Sequence, residues 1–242
     1  MTAGNGRRTV ALRSVQALSP TVKSFEWECV DGEPLSYVAG QWLNFDVPTS
    51  QGVIRRAYSI ASAPHGGRQT NFETAVTRID QGAIASQALH ALTPGARVEI
   101  DGPHGFFTRE QAAHLPALFV ATGTGLCPLR AMLEEELRDP GGPHLSLLFG
   151  CRTEADILWK AQLQDWAATH ARFSLHVTLS RPSETWRGLA GYVQQHLAGL
   201  IDPEQRPQVY VCGLTKMVGE VRQTLKQNLG YDRRSIHSER YD

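Results

Sequence analysis

The sequence predicts an antiparallel β domain followed by an α/β domain with a parallel sheet. In roughly the first hundred residues, short apolar segments alternate with turn residues, which is typical of an antiparallel barrel or sandwich. After about residue 111, apolar segments alternate with amphipathic helices, the pattern of a parallel sheet covered by helices. The chain has 242 residues, enough for two domains with separate cores. We therefore expect a boundary within residues 107–115 and divide the chain into domains 1–110 and 111–242.

The individual elements follow from periodicity. One short helix is expected at residues 84–92, and Pro94-Gly95 after it should turn the chain back into a strand. Helices of the second part have apolar residues at helical spacing, for example Leu126, Leu129 and Leu133. The predicted strands are 9–18, 22–29, 41–47, 56–61, 71–79 and 97–100 in the β domain, and 117–121, 145–149, 174–179, 208–211 and 235–238 in the α/β domain.

The composition argues against several classes of function. Lysine plus arginine and aspartate plus glutamate both number 24, so no net field favours nucleic acid or an anionic membrane. The cysteines are too scattered for a zinc or iron–sulfur site, and their small number indicates free thiols in a reducing compartment. No apolar signal segment or membrane span is present, so we expect a cytoplasmic protein without a metal. The four cysteines are Cys29, Cys127, Cys151 and Cys212.

A glycine-rich turn joins the first parallel strand to the helix that follows. It reads Thr122-Gly123-Thr124-Gly125, with Pro128 three residues further on. Glycines let a diphosphate approach the backbone, and free N–H groups at a helix start attract the anion; a plain strand-to-helix turn is the alternative. Proline stands where the common dinucleotide fingerprint has its third glycine. The string instead resembles the nicotinamide-domain motif of the ferredoxin–NADP reductase family.

A second string with this resemblance, Arg56-Ala57-Tyr58-Ser59, lies on a predicted strand of the β domain. It matches the Arg-x-Tyr-Ser signature with which the family holds FAD. Arg56 can pair with the FAD diphosphate, and Tyr58 lies on the same face of the strand and can pack against the flavin. The resemblance places Ser59 near flavin N5 as a catalytic residue. The alternative is an ordinary amphipathic strand with a solvated Arg56 and a core Tyr58.

Two further segments of the β domain resemble the family. The stretch from Gly82 to Ser86 resembles the segment that caps the FAD diphosphate with backbone N–H groups, including those of Ile84 and Ala85, and with a serine hydroxyl. Ser86 also suits a helix N-terminus, which is the alternative. Residues 102–105 resemble the family's Gly-Pro-x-Gly segment, and a simple turn is the alternative there.

Residues after the parallel strands point to the dinucleotide, because ligands of open parallel sheets lie beyond the carboxyl ends of the strands. Arg152 follows the second strand in a Gly-x-Arg string like that of the family. Ser180 and Arg181 follow the third strand and resemble the pair that NADP-using members place against the ribose 2′-phosphate, with Arg187 nearby. This pattern favours NADPH, while Glu184 leaves NADH open.

The remaining predicted site residues lie between residue 192 and the end of the chain. Tyr192 can stack on adenine, or it is a surface tyrosine. The resemblance places Cys212-Gly213, after the fourth strand, beside the nicotinamide; a buried structural cysteine is the alternative. Glu239 and Tyr241 resemble the Glu-x-Tyr end of plant-type members, in which the aromatic ring covers the flavin; a frayed polar tail is the alternative.

The resemblance implies a six-stranded antiparallel barrel for FAD and a five-stranded parallel sheet for NAD(P). It implies an oxidoreductase in which nicotinamide C4 delivers hydride to flavin N5, with Ser59, Cys212 and Glu239 as catalytic residues. FAD and NADPH are the expected cofactors. Electrons then pass to a separate one-electron acceptor, ferredoxin or flavodoxin, from a monomeric protein. The alternatives are an oxygenase-associated or free-flavin reductase and an electron-transfer subunit of a larger complex.

Overall fold

The computed structural model describes residues 6–64, 70–109 and 113–241. Its first part contains six strands, all paired antiparallel in the order β4-β3-β6-β1-β2-β5. A bridge between Ile60 and Thr74 joins the two edge strands, so the sheet curls into a barrel. The elements are β1 (Arg8–Ala17), β2 (Val22–Cys29), β3 (Trp42–Thr49), β4 (Gly52–Ser59), β5 (Asn71–Thr77), α1 (Ile84–His90) and β6 (Arg97–His104).

The barrel interior is filled by aromatic side chains. Phe25, Trp27, Phe45 and Phe72 are almost completely buried, because alternate residues of each strand face the inside. The indole N–H of Trp27 donates to Thr74 Oγ1 at 3.0 Å, which satisfies the buried polar atom. These buried aromatic rings occupy the barrel core, so the barrel strands offer a cofactor their exposed residues rather than their core.

The second part contains six parallel strands in the order β10-β9-β8-β7-β11-β12. None of its helices, nor any other helix in the described ranges, is long and apolar enough to cross a membrane. The elements are β7 (Ala117–Thr122), α2 (Leu126–Leu137), β8 (Leu145–Cys151), α3 (Lys160–Thr169), β9 (Phe173–Leu179), β10 (Leu189–Ala190), α4 (Leu197–Leu200), β11 (Gln208–Leu214), α5 (Thr215–Gln223) and β12 (Ile236–Tyr241).

The predicted fold class is confirmed, and the parallel sheet has six strands where five were predicted. The additional strand is β10, whose Leu189 and Ala190 pair with β9. Two residues are too few to show an alternation of apolar and polar side chains, so the sequence pattern does not reveal this strand. The predicted division between residues 110 and 111 lies outside the described residues.

One apolar cluster crosses from the barrel to the α/β domain. Val22, Ala39 and Ala61 of the barrel belong to the same buried cluster as Leu126 and Phe149 of the α/β domain. Gly40 lies at this junction, where a Cβ atom would overlap the Phe107 carbonyl oxygen and lie 2.5 Å from Met132 Cε. The two domains therefore pack through a close, largely apolar contact.

We predict that Gly40→Ala destabilises the protein more than Gly52→Ala. Both glycines have φ of +102°, but nothing lies within 4 Å of a Cβ at Gly52. In each variant, the positive φ should lower the free energy of unfolding by about 1–2 kcal/mol. Overpacking at the junction should lower it by a further ~1–3 kcal/mol in Gly40→Ala. Urea unfolding measures the difference. Equal unfolding free energies for the two variants would show that the junction is loosely packed.

Candidate active site

Three polar side chains from distant parts of the sequence meet where the two domains join. Ser59 ends β4, and its hydroxyl lies 2.5 Å from the Tyr241 hydroxyl, with either group as donor. Ser59 Oγ also donates to Glu239 Oε1 at 3.4 Å. Glu239 and Tyr241 lie on β12, which pairs in parallel with β11 and places Glu239 beside Cys212. The structure therefore brings together Ser59, Cys212 and Glu239, which were predicted to be catalytic, and Tyr241, which was predicted to cover the flavin.

Burial controls the protonation of this cluster. It raises the pKa of Glu239 to about 7, against a smaller lowering effect of the Ser59 hydrogen bond. Burial also raises the pKa values of Cys212 and Tyr241 well above their ordinary ranges. Near neutral pH the thiol and the phenol are therefore protonated, while Glu239 is present in both forms. Such a cluster can hold or release a proton at Glu239 and keeps Cys212 from acting as a thiolate.

The glycine turn after β7 fits closely against the end of β11. A Cβ atom on Gly125 would overlap the Cys212 carbonyl oxygen, and one on Gly213 would overlap Thr122 Oγ1. Gly125 immediately precedes α2, so the backbone N–H groups that open this helix lie next to Cys212 and Gly213. The predicted diphosphate site and the predicted nicotinamide site are thus one continuous surface.

The same turn has the chemistry that a dinucleotide diphosphate needs. Gly123–Gly125 forms a 3₁₀ turn that leads into α2, and Pro128 lies in the first helical turn. Within the described part of the chain, Thr122 Oγ1 is buried and has no hydrogen-bond partner. A buried hydroxyl without a partner is rare, so this atom is a natural contact for a bound ligand. Thr124 is partly buried and its hydroxyl is 3.5 Å from that of Thr77.

On β4, Arg56 and its neighbour Arg55 have different surroundings. Arg55 forms two hydrogen bonds, at 2.7 and 3.0 Å, with the Asp46 carboxylate. Arg56 is exposed and donates only to the Arg55 carbonyl at 2.8 Å, and none of the described carboxylates pairs with it. Arg56 is therefore available to an anionic ligand. Ala57 is also exposed.

Tyr58 lies on the same face of β4 as Arg56, as predicted from their spacing. The two residues pair with Leu43 and Phe45 of β3, which face the barrel core. The Tyr58 ring packs edge-on against Phe45 with centroids 5.7 Å apart, and burial raises its pKa to about 12. Tyr58 is only partly buried, so it combines core packing with a surface that a ring system can cover.

Ser86 has local partners. Its hydroxyl donates to the Ala83 carbonyl at 2.9 Å and accepts from the Ile79 backbone N–H at 3.2 Å. These bonds close the loop before α1, and the Ile84 and Ala85 N–H groups lie at the helix start, where N–H groups have no intrahelical acceptor. An anion at this loop would thus meet backbone N–H groups. Gly82 lies in the same loop with φ of +79°.

The loops that follow β8 and β9 are joined by backbone hydrogen bonds. The Ser180 N–H donates to the Cys151 carbonyl at 3.0 Å, and the Arg181 N–H donates to the Arg152 carbonyl at 2.8 Å. These bonds bring the two arginines to the same edge of the sheet, and both side chains are exposed. Arg187, in the loop before β10, is also exposed and donates to the carbonyls of Glu184 and Trp186. Tyr192 follows β10 and is 62% exposed.

Sequence reasoning missed a polar contact between the domains. Arg130 of α2 is buried and donates to the Glu73 carboxylate of β5, and Trp159 donates to the same carboxylate. The available signal was Arg130 itself, a cation within the apolar first half of α2. Among the described residues, no group of three or more His, Cys, Asp or Glu side chains could hold a metal ion.

Comparison with known proteins identifies the family. A model of the oxidoreductase FAD-binding domain matches residues 9–108, and one of the oxidoreductase NAD-binding domain matches residues 119–223. Ferredoxin–NADP reductase B of Sorangium cellulosum is 44% identical over 237 residues, which cover 96% of each protein. The chain belongs to the ferredoxin–NADP reductase family.

Two further relatives have lower sequence identity with this chain. The anthranilate 1,2-dioxygenase electron transfer component of Acinetobacter baylyi is 29% identical over 86% of this chain, which spans 59% of that relative's length. The FAD/NAD-binding domain of nitric oxide dioxygenase from Vibrio cholerae superposes with a TM-score of 0.86 and is 25% identical, covering 97% of this chain and 98% of that domain. These findings confirm an NAD(P)H-dependent flavin oxidoreductase that uses FAD and a nicotinamide dinucleotide.

We predict that Glu239 makes the protein less stable as pH rises from about 4.5 to about 7. Its pKa in the folded protein, about 7, exceeds the ordinary value of 4.5. As pH rises, Glu239 therefore loses its proton in the unfolded chain before it does so in the folded protein, and the free energy of unfolding falls. Glu239→Gln removes the titration. The variant should therefore gain stability relative to the wild type across this range, as measured by urea unfolding at pH 5, 6, 7 and 8. The matched control is Glu204→Gln at an exposed position; parallel pH profiles for all three proteins would disprove the burial effect.

Proposed function

We propose that the protein transfers electrons from NADPH through FAD to a separate one-electron carrier, ferredoxin or flavodoxin. The observation that carries this proposal is the meeting of Ser59 with Glu239 and Tyr241 at the junction of the two domains. When bound, FAD accepts a hydride from a nicotinamide and releases electrons singly. The chain's own residues then have to bind both cofactors, orient them and exclude water.

In this proposal, the barrel residues hold FAD. Arg56 pairs with the diphosphate, for which its unpaired guanidinium is suited. Tyr58 covers one side of the flavin, and the N–H groups of Ile84 and Ala85 contact the diphosphate. Ser59 would turn its single hydroxyl proton from Glu239 to the reacting edge of the flavin.

The α/β domain holds the dinucleotide. Its diphosphate binds at the turn formed by Thr122 to Gly125, where backbone N–H groups and the Thr122 hydroxyl provide donors. Cys212 and Gly213 line the nicotinamide position, which the protonated thiol keeps free of charge. Glu239 holds a proton beside Ser59.

NADPH is the proposed electron donor. Ser180 and Arg181 follow β9 at the edge where Arg152 is also exposed, and Arg187 is exposed in the loop before β10. A dianionic 2′-phosphate is bound well by arginine forks and a hydroxyl. Glu154, in the loop after β8, accepts two hydrogen bonds from Ser183, at 3.1 and 2.5 Å. Glu184 is exposed and is the carboxylate that would serve the alternative donor, NADH. The relative that is 44% identical is named as an NADP enzyme.

Ferredoxin is the first proposed acceptor because it is the acceptor named for that relative, which matches almost the whole chain. The second candidate, an oxygenase component, is favoured by relatives such as the anthranilate dioxygenase electron transfer component.

The division at residues 110 and 111 remains a proposal, supported by family matches that end at residue 108 and begin at residue 119. We also propose a monomer in the cytoplasm, in line with four free cysteines.

The test of this function is anaerobic reduction of the purified flavoprotein. NADPH should bleach the flavin absorbance with a kcat/KM at least about tenfold above that of NADH, because charge-assisted hydrogen bonds to the 2′-phosphate are lost with NADH. Added ferredoxin or flavodoxin should be reduced catalytically and faster than free FMN. Arg181→Ala should lower the NADPH preference and leave NADH kinetics unchanged. A colourless protein, or faster reduction by NADH, contradicts the proposal.

We predict that Arg56→Ala weakens FAD binding by about 10-fold to 100-fold, the effect of losing charge-assisted hydrogen bonds to a phosphate. Titration of the FAD-free protein, followed by flavin fluorescence, measures the Kd. The matched control is Arg55→Ala, which removes the neighbouring arginine that pairs with Asp46 and should change the Kd less than about twofold. If both variants retain FAD equally well, Arg56 is only a solvated surface residue.

A further inference from the structure

The Glu73 carboxylate connects the barrel to two separate elements of the α/β domain. Its Oε2 accepts from Arg130 Nη1 at 2.9 Å, and its Oε1 accepts from Trp159 Nε1 at 3.0 Å. The Arg130 guanidinium lies over the Trp159 ring, 4.6 Å from its centroid. We call these three residues the interdomain triad. Both carboxylate oxygens have a donor from the other domain, so the triad has one well-defined geometry.

Arg130 also forms a hydrogen bond with the segment that follows β4. Its Nη1 donates to the Ala61 carbonyl at 2.6 Å, and its Nε donates to Gln162 at 2.7 Å. The side chains of Arg130 and Glu73 are only 7% and 20% exposed. A buried charge that loses its partner is strongly disfavoured, so movement of one domain against the other would break several hydrogen bonds together.

Other contacts hold the same loop against α2. The Ala63 N–H donates to Glu134 Oε2 at 2.9 Å, and Arg138 donates to the Pro64 carbonyl at 2.6 Å. Within the barrel, the Ala61 N–H donates to the Glu73 carbonyl at 2.7 Å. The end of the predicted flavin strand is therefore attached to the helix that begins at the predicted diphosphate turn.

We infer that the interdomain triad positions the two cofactor sites for hydride transfer. The inference rests on the proposed function. Ser59 lies two residues before Ala61, and Arg130 lies in the second turn of α2, five residues after Gly125. Reacting atoms must approach to about 3–3.5 Å, and a displacement of about 1 Å can cost about 100-fold in rate. Glu73, Arg130 and Trp159 are positioning residues, because they act through the elements that they join.

The test is the limiting rate of flavin reduction at saturating NADPH in the FAD-loaded variant Glu73→Gln. A glutamine directs its NH₂ group at one of the two N–H donors, so the triad cannot form intact. We expect the limiting rate to fall by about 10-fold to 100-fold, with the Kd for NADPH and the FAD content within about twofold of wild type. Trp159→Phe keeps an aromatic ring under Arg130 and removes one hydrogen bond, so the limiting rate should fall by a smaller factor. This variant replaces Glu73→Gln in the test if Glu73→Gln does not fold.

The matched control is Glu136→Gln. Glu136 is another largely buried glutamate of an ion pair, with Arg109 Nε at 2.5 Å, and among the described residues its carboxylate forms no hydrogen bond with Ala61 or Trp159. This variant should lose stability and keep the wild-type limiting rate. Amide hydrogen exchange of residues 60–63, measured in the FAD-free and FAD-loaded proteins, should rise in Glu73→Gln and stay unchanged in Glu136→Gln.

A wild-type limiting rate in both triad variants, or an equal fall in Glu136→Gln, overturns the inference and leaves the proposed function intact. A wild-type protein that NADPH does not reduce overturns the proposed function and the inference with it. The inference is supported if only the triad variants have a lower limiting rate while their Kd for NADPH is unchanged. A loss of stability alone would not lower the limiting rate and leave the Kd for NADPH unchanged.

Discussion

A buried guanidinium needs acceptors for its donors, and those of Arg130 come mainly from the other domain. The Glu73 carboxylate and the Ala61 carbonyl both belong to the barrel, while Arg130 belongs to the first helix of the α/β domain. Removing two charges from water is costly, so such a pair adds little net stability compared with apolar residues of the same shape. Its consequence is geometric, because only one arrangement of the domains satisfies all of these atoms.

That arrangement creates the polar cluster at the junction. With the segment after β4 held against α2, Ser59 reaches Tyr241 and Glu239 of the last strand. The same packing removes water from these groups, which is why the pKa of Glu239 rises to about 7 and why Cys212 and Tyr241 remain protonated. The cluster is thus nearly free of charge, apart from a glutamate that can exchange a proton near neutral pH.

A second constraint operates within the α/β sheet. β7 and β11 are neighbours, and their carboxyl ends meet without room for side chains at Gly125 and Gly213. The helix start that is suited to a diphosphate therefore lies directly against the strand end that carries Cys212. A parallel sheet places such ends at one edge, and the two glycines let them touch.

Local sequence patterns were sufficient to predict the two-domain fold, eleven of the twelve strands and the two proposed cofactor sites. These features depend on local periodicity, on the glycine turn and on the short string around Arg56, all of which are read within a few residues. Such patterns could not determine β10, which has only two residues, or the partners of Ser86, which depend on how its loop closes.

Contacts between distant residues follow from the packing of the two domains. Ser59 and Tyr241 are 182 residues apart, and Glu73 and Trp159 are 86 apart. No local pattern encodes such contacts, because they arise when two separately folded surfaces pack and bury their polar groups together. The protonation of Glu239 and the role inferred for Arg130 follow from that burial, and burial is a property of the packed domains.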